Sequence, residues 1–356
     1  MKILLVGEYS GFYNNLAAGL KELGHSVFLA NTGDGKRRYH SDFDWRKGNN
    51  GFWGKNIGLG RLLLHRNLFS GFDVVQLIFP RLNSIYWLNQ LMVNYLKAHN
   101  GKIFWTPSGR SHLISKFWYE STGKRCGVYD FHFAEAAKRG DRLQFLQPAA
   151  VDYETWFTHQ LDGILPAAFE YAEPFRNHPK FLRTIPYPVD LDQIGYHPNI
   201  VGSKVVFYHG ITRPVKGTEH ICKAFGAARD RWPSGGEFVC ARSLPYQEYL
   251  KVIRGSNVIV DQANSYSTAL NGLIALAQGK ILMGGGEKEY LDEIGYDWCP
   301  ILNIKPDQAQ ILQTIEWVMD NRGNIEEMGF RGRQFVEKYH HQRVIASRYV
   351  ESWTSS

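Results

Sequence analysis

Short apolar runs alternate along the chain with longer stretches in which apolar residues return every three or four positions. ILLV (3–6) stops at Gly7 and Glu8. NLAAGLKELG then places Leu16, Leu20 and Leu23 on one face and closes at Gly24, and HSVFLAN resumes the extended pattern. Strand, amphipathic helix and strand in that order predict a β-α-β unit and a parallel sheet. DVVQLIFP (73–80) reads as a buried strand, SIYWLNQLMVNYLKAH as a helix, and KIFWTPSG (102–109) as a strand ending in a turn. LDGILPAA (161–168) and FLRTIPYPV (181–189) supply two further strand-like runs. The first half is therefore expected to form a doubly wound sheet.

Pro186, Pro188 and Pro198 frame a linker, PYPVDLDQIGYHPNIVGS, after which the alternation begins again. VVFYHG, GEFVCAR, NVIVDQ and KILMGG read as strands. TEHICKAFGAARDRW, PYQEYLKVIRGS and ALNGLIALAQG read as the helices between them, and the tail from about 307 to 356 reads as helices. The fold class is thus α/β, with two Rossmann-like domains expected to face each other across a cleft. The first is expected over 1–190 and the second over 200–339, with a final helix at about 340–356 packing back on the first. A length of 356 residues suits two cores.

Composition adds class and compartment. Apolar residues make up 44% and charged residues 21%, as in soluble globular proteins. MKILLVGEYS is a buried strand too short for an export signal, so a cytoplasmic protein is expected. Cys126, Cys222, Cys240 and Cys299 form no Cys-x-x-Cys pair, so reduced, buried thiols are expected and zinc is not.

Charge is divided unevenly. Residues 1–190 hold 23 Lys and Arg against 16 Asp and Glu, while the remainder holds 18 of each. The whole excess of +7 lies in the first half, which points to an anionic partner. Residues 33–66 concentrate glycine, basic and aromatic residues, with Phe52 and Trp53 beside Lys55, a pattern suited to an anionic membrane surface. Nucleic acid is not expected: the rings and cations lie in one loop rather than on a stacking platform, and no recognition motif is present.

Three loops of the second half carry candidate chemistry. HGITRPVKG (209–217) brings Arg213 and Lys216 to a helix start with no acid between them, an arrangement that suits an anion site and equally a solvated turn. ARSLPYQEY (241–249) follows the next strand. NSYSTALNG (264–272) runs into a helix whose small residues let phosphate oxygens approach the backbone amides.

These segments resemble the GT-B glycosyltransferases of the family-four, group-one kind. HGITRPVKG resembles the G-R-x-x-x-x-K-G loop of that family. NSYSTALNGLIALAQGKILMGG resembles E-G-F-G-x-x-x-x-E-A-M-A-x-G-x-P-V, and LDGILPAAFEYAEPFRNHPKFLRTIPYPVD resembles the run that closes the first domain. The resemblance implies a transferase that moves a sugar from a nucleotide diphosphate sugar to a glycan or lipid-linked acceptor, with retention, in polysaccharide or glycan biosynthesis. No cofactor and no metal are expected; the nucleotide sugar is a substrate.

Lys216 falls on the family's diphosphate lysine. The family arginine falls at Ile211, which makes Arg213 the expected substitute. The two family glutamates fall at Tyr266 and Ile274; Asn271, one turn before Ile274, is the candidate for the ribose, and Ile274 reads as core. Gly11, Gly210, Leu244 and Tyr246 complete the expected donor contacts, with Tyr266, Ser267 and Thr268. Tyr246 and Tyr249 fit a base pocket and fit core packing equally. Ser108 stands where the family often has histidine, with Arg110 and His112 close by; His112, Arg213 and Lys216 are the expected catalytic residues. The missing glutamates leave a second reading open, that of a catalytically inactive partner subunit or sugar-binding protein. A panel of nucleotide sugars assayed for release of nucleotide diphosphate separates the two.

Overall fold

The computed structural model describes residues 1–31, 39–45, 58, 60–83, 85–109, 111–121, 126–140, 147–211, 214–242, 244 and 246–356. In chain order the elements are β1 (Lys2–Val6), α1 (Phe12–Glu22), β2 (Ser26–Asn31), β3 (Phe43–Asp44), β4 (Val74–Leu77), α2 (Tyr86–His99) and β5 (Lys102–Trp105). Next come α3 (His112–Glu120), α4 (Gly127–Lys138), α5 (Pro148–Gln160), β6 (Gly163–Ile164) and α6 (Phe169–Ala172). The second half runs β7 (Val205–Ile211), α7 (Thr218–Arg231), β8 (Gly236–Arg242), α8 (Tyr246–Gly255), β9 (Val258–Val260), α9 (Leu270–Ala277) and β10 (Ile281–Gly284). It ends with α10 (Lys288–Ile294), β11 (Leu302–Asn303), α11 (Gln308–Asp320), α12 (Ile325–Tyr339) and α13 (Gln342–Ser355).

Two compact units result. The first comprises Met1–Thr122, Asp141–Pro188 and Gln342–Ser356; the second comprises Gly123–Gly140 and Val189–His341. The segment Gly123–Gly140 lies inside the span 1–190 expected for the first domain, yet it packs in the second unit. Each unit is built on one parallel sheet, so both are Rossmann-like.

The first sheet has the order β3-β2-β1-β4-β5-β6, with parallel pairing throughout. Its middle strands are closed on both faces: Ile3, Leu4, Leu5, Val75 and Phe104 are buried, which is why they read as unbroken apolar runs. The final helix docks here through polar groups as well as apolar ones. Trp353 Nε1 donates to Gln76 Oε1 at 2.9 Å, Gln76 Nε2 donates to Thr106 Oγ1 at 2.9 Å, and Tyr349 OH lies 3.1 Å from the same hydroxyl. Gly19 lets α1 and α13 approach closely, since a Cβ there would stand 2.2 Å from the Gln342 carbonyl oxygen. The run 181–189 is not a strand. Only single bridges form, Phe181 to Ile164 and Val189 to His341, because Pro186 and Pro188 remove the donors a ladder needs.

The second sheet has the order β11-β10-β9-β7-β8, again parallel. Its core joins Phe207, Phe225 and Phe238 with Val258, Ile281 and Ile315. Of the cysteines, Cys126 alone is buried; Cys222, Cys240 and Cys299 are half-buried, with Cys240 against the edge of the core and its sulfur 2.7 Å from that of Cys222. Among the described residues, no helix is long and apolar enough to cross a membrane.

Candidate functional site

In a doubly wound parallel sheet, ligands bind beyond the carboxyl ends of the strands where the strand order reverses. In the second unit that point lies between β7 and β9, neighbours in the sheet. After β7 the chain makes a 3-10 turn, Pro214–Lys216, and enters α7 through Gly217 at φ 75°. This left-handed position suits glycine, and a Cβ there would also stand 3.1 Å from the Ala263 methyl. The turn is pinned to the segment after β9 by three bonds. Ala263 N donates to Lys216 O at 2.9 Å, Asn264 Nδ2 donates to Val215 O at 2.8 Å, and Lys216 Nζ donates to Asp261 Oδ1 at 2.5 Å. The Lys216 and Asp261 side chains are 12% and 4% exposed. The second oxygen of Asp261 is buried with no hydrogen-bond partner among the described residues.

His209, buried at the end of β7, ties the same corner together. Its Nδ1 lies 2.7 Å from the Val260 carbonyl and must carry the proton; its Nε2, 3.0 Å from Thr218 Oγ1, accepts the hydroxyl hydrogen. Burial lowers its pKa, with the Val260 hydrogen bond opposing.

The segment before α9 is fixed by two bonds of its own. Tyr266 O accepts from Glu287 N at 3.1 Å, and Ser267 O accepts from Gln262 Nε2 at 3.0 Å. Ser267 and Thr268 are buried, and the Thr268 hydroxyl has no partner among the described residues. Gly285 is indispensable beside this segment, because a Cβ there would meet the Ser265 and Ser267 carbonyl oxygens at 2.6 Å. Asn271 is half-buried in the first turn of α9, and Ile274 is buried in the core. Gly210 lies in β7 with ordinary room for a Cβ. Leu244 is half-buried; Tyr246 opens α8, but its side chain lies outside the described residues, and the Tyr249 ring stands 6.4 Å from that of Tyr208. Arg213 and Arg110 also lie outside the described residues.

Sequence reasoning passed over three participants. Asp261 and Glu287 are buried acids at the strand ends, Glu287 paired with Lys305 at 3.0 Å. The only signal was an acid directly after an apolar run, in NVIVDQ and in MGGGEKEY. The third is α4, which packs against the Pro214–Lys216 turn; Gly127 at its start places a missing Cβ 3.0 Å from the Asn264 carbonyl oxygen.

In the first unit the order reverses between β1 and β4. Gly11 stands there at φ 91°, but its amide is already engaged. The buried Glu8 carboxylate accepts from the amides of Tyr9 (2.6 Å), Gly11 (2.9 Å) and Asn14 (3.1 Å) and from Asn14 Nδ2 (2.6 Å). The start of α1 thus holds the chain's own anion. Burial raises the Glu8 pKa, and the hydrogen bonds from Asn14 and the backbone oppose it. Farther along the same edge, His112 Nε2 lies 3.2 Å from Arg81 Nη2 and accepts from it, while Arg81 Nη1 donates to Tyr86 OH at 3.2 Å. Glu154 holds the first turn of α3, accepting from His112 N at 2.7 Å and Leu113 N at 3.1 Å. His112 and Gly11 belong to the first unit; Lys216, Gly210, Leu244, Tyr266, Ser267, Thr268 and Asn271 belong to the second.

No family model matches the chain, and no curated protein does. Solved structures do. The fold is similar to that of sucrose-phosphate synthase from Thermosynechococcus elongatus, with a TM-score of 0.66, 13% identity and all of both chains covered. It is similar to Anabaena HepE in complex with UDP and glucose, with a TM-score of 0.61, 10% identity and all of both chains covered. It is also similar to UDP-GlcNAc 2-epimerase from Neisseria meningitidis bound to UDP-GlcNAc, with a TM-score of 0.56, 10% identity and all of both chains covered. At these identities the likeness establishes the GT-B fold, with its two Rossmann-like units.

The neutral imidazole of His209 has a measurable consequence. Its pKa in the fold lies below the value of about 6.5 it takes in the unfolded chain. The stability it contributes is therefore complete above that value and is lost as pH falls below it, where the unfolded chain takes up the proton first. Urea unfolding of wild type and His209→Asn at pH 7.5 and 5.5 should show the stability gap shrinking at the lower pH. A gap that stays constant or widens contradicts a neutral buried imidazole.

Proposed function

We propose that the chain is a glycosyltransferase that takes a sugar from a nucleotide diphosphate sugar bound at the β7–β9 edge of the second unit. One observation carries the reading: Lys216 stands over the reversal point of that sheet, nearly closed off from water, in a turn held by three bonds. A fixed ammonium there stabilises the charge that develops on a leaving diphosphate. Arg213 is the second cation of the same loop. The likeness to HepE, crystallised with UDP and glucose, supports a nucleotide sugar as the ligand. Thr268, whose hydroxyl has no partner among the described residues, and Asn271 are the proposed donor contacts before and on α9.

The first unit is the proposed acceptor side, with His112 and Arg81 at its carboxyl edge. The acceptor is a glycan or a lipid-linked sugar, in polysaccharide or glycan assembly, and transfer proceeds with retention, the leaving diphosphate guiding the acceptor hydroxyl. Residues 60–64 are helical, and Leu63, Leu64 and Leu68 are exposed beside Arg66, Leu64 at 80%. With the basic stretch of sequence that precedes them, they support attachment to an anionic bilayer at its cytoplasmic face.

A second reading is favoured by a specific observation: Tyr266 and Ile274 replace both acids of the resembled motif, and Ile274 is buried. The chain is then an inactive partner subunit or sugar-binding protein. The epimerase neighbour adds a third outcome, turnover without transfer.

Incubation with a panel of nucleotide sugars and acceptors should release nucleotide diphosphate and form a glycosylated product. Lys216→Ala should lower that turnover by about 10²–10³, the scale for one lost transition-state donor, with the melting temperature of a folded protein; unchanged turnover removes Lys216 from the site. Because the loop supplies its own positive charge, EDTA should leave the rate unchanged, and loss restored by Mg²⁺ or Mn²⁺ would show that a metal carries the diphosphate. In flotation, vesicles containing anionic lipid should bind the protein at low salt. Binding should fall with added salt and when Lys36, Arg37, Arg38, Arg46 and Lys47 are neutralised together; protein that ignores the vesicles at low salt has no membrane role of this kind.

A further inference from the structure

We propose that Asp261 is the positioning residue for Lys216, fixing its ammonium where the donor diphosphate arrives; the inference rests on the donor site described above. Lysine carries its charge on a four-carbon stem with high rotamer entropy. An ammonium that must meet a diphosphate in one place needs something to hold its end. The backbone bonds Ala263 N to Lys216 O and Asn264 Nδ2 to Val215 O secure the start of that stem. Neither reaches the ammonium. Asp261 Oδ1 does, at 2.5 Å.

Structure alone gives a weak reason for this carboxylate. A buried ion pair contributes little net stability, because the cost of removing two charges from water offsets their attraction. The three links between the turn and the segment after β9 include two that need no charge. Asp261 Oδ2 meanwhile makes no hydrogen bond among the described residues, so the carboxylate does not secure a wider network there. Its visible engagement is the ammonium. Lysine keeps further N–H donors when one is given to Asp261, so the pair orients the cation toward a phosphate without consuming it. Asp261 touches no reacting atom in this account; it acts through Lys216.

The test is a double-mutant cycle on nucleotide binding, read by calorimetry with UDP, GDP, ADP and dTDP in turn. Wild type should bind at least one of them. Asp261→Ala should weaken that binding by about thirtyfold or more, the scale for truncating one side of a buried charge pair in a binding site. Asp261→Asn, which keeps an acceptor oxygen in place, should recover at least half of the loss on a logarithmic scale. In a Lys216→Ala background both changes should alter binding by less than about twofold, since coupled residues fail additivity. Equal losses in the two backgrounds would mean that Asp261 serves the fold, and no loss in either would mean that it serves nothing at this site; both overturn the proposal. If Asp261→Ala does not fold, Asp261→Asn decides alone, with a loss that must vanish in the Lys216→Ala background. If wild type binds none of the four nucleotides, the donor reading fails and this inference with it. If wild type binds and the cycle is additive, only the role of Asp261 fails.

Discussion

An ammonium and a carboxylate, both nearly closed off from water, stand 2.5 Å apart over the point where the second sheet reverses its strand order. Much of the second unit's carboxyl edge is arranged around that pair. Each charge answers the other, since leaving one desolvated without its partner is costly. The bonds Ala263 N to Lys216 O and Asn264 Nδ2 to Val215 O hold the turn after β7 beside the segment after β9. Gly217, Ala263 and Asn264 make the backbone approach possible, and His209 fastens β7 both to the end of β9 and to the start of α7. Four segments distant in sequence thus meet at this corner.

The alternation of apolar runs made both sheets legible in the sequence. Strands buried on both faces, such as ILLV and NVIV, leave no doubt about their type when each is followed by a helix of period 3.6. The helices α3, α4 and α5 were less legible because their polar and aromatic residues blur the period; α4 has Tyr129 and Ala136 buried amid Asp130, His132 and Glu135. The placement of α4 in the second unit could not be read at all. It depends on where a helix finds its partner, and that information lies in the Pro214–Lys216 turn nearly ninety positions on. The run FLRTIPYPV misled for the opposite reason: its apolar pattern suits a strand, and its two prolines forbid the ladder.

At the site, the resemblance drew attention to the loops after β7 and before α9 but not to the acids beside them. Motif comparison asks whether Glu stands at 266 and 274, and finds Tyr and Ile. The fold asks a different question, namely which carboxylates reach the same edge, and finds Asp261 one residue beyond β9 and Glu287 at the start of α10. Neither belongs to the motif, so neither draws attention in the sequence. A similar exchange is seen in the first unit, where the glycine-rich turn after β1 looks open to an anion. Glu8, three residues before Gly11, already occupies it. A motif specifies residue types at fixed spacing, whereas a site specifies charges in space, and a side chain a few residues away satisfies the second without the first.

The electrostatic character of the proposed donor edge changes as a result. A loop with Arg213 and Lys216 alone would present two cations on stems of high rotamer entropy. With Asp261 holding its end, Lys216 would meet a diphosphate as one oriented cation, and less rotamer freedom would be lost when the ligand arrives. Only interactions that strengthen toward the transition state raise the rate of the chemical step, and an ammonium already fixed in place needs no reorganisation when negative charge grows on a leaving group. An acid beside the lysine, paradoxical as a source of positive charge, is consistent as the group that orients it.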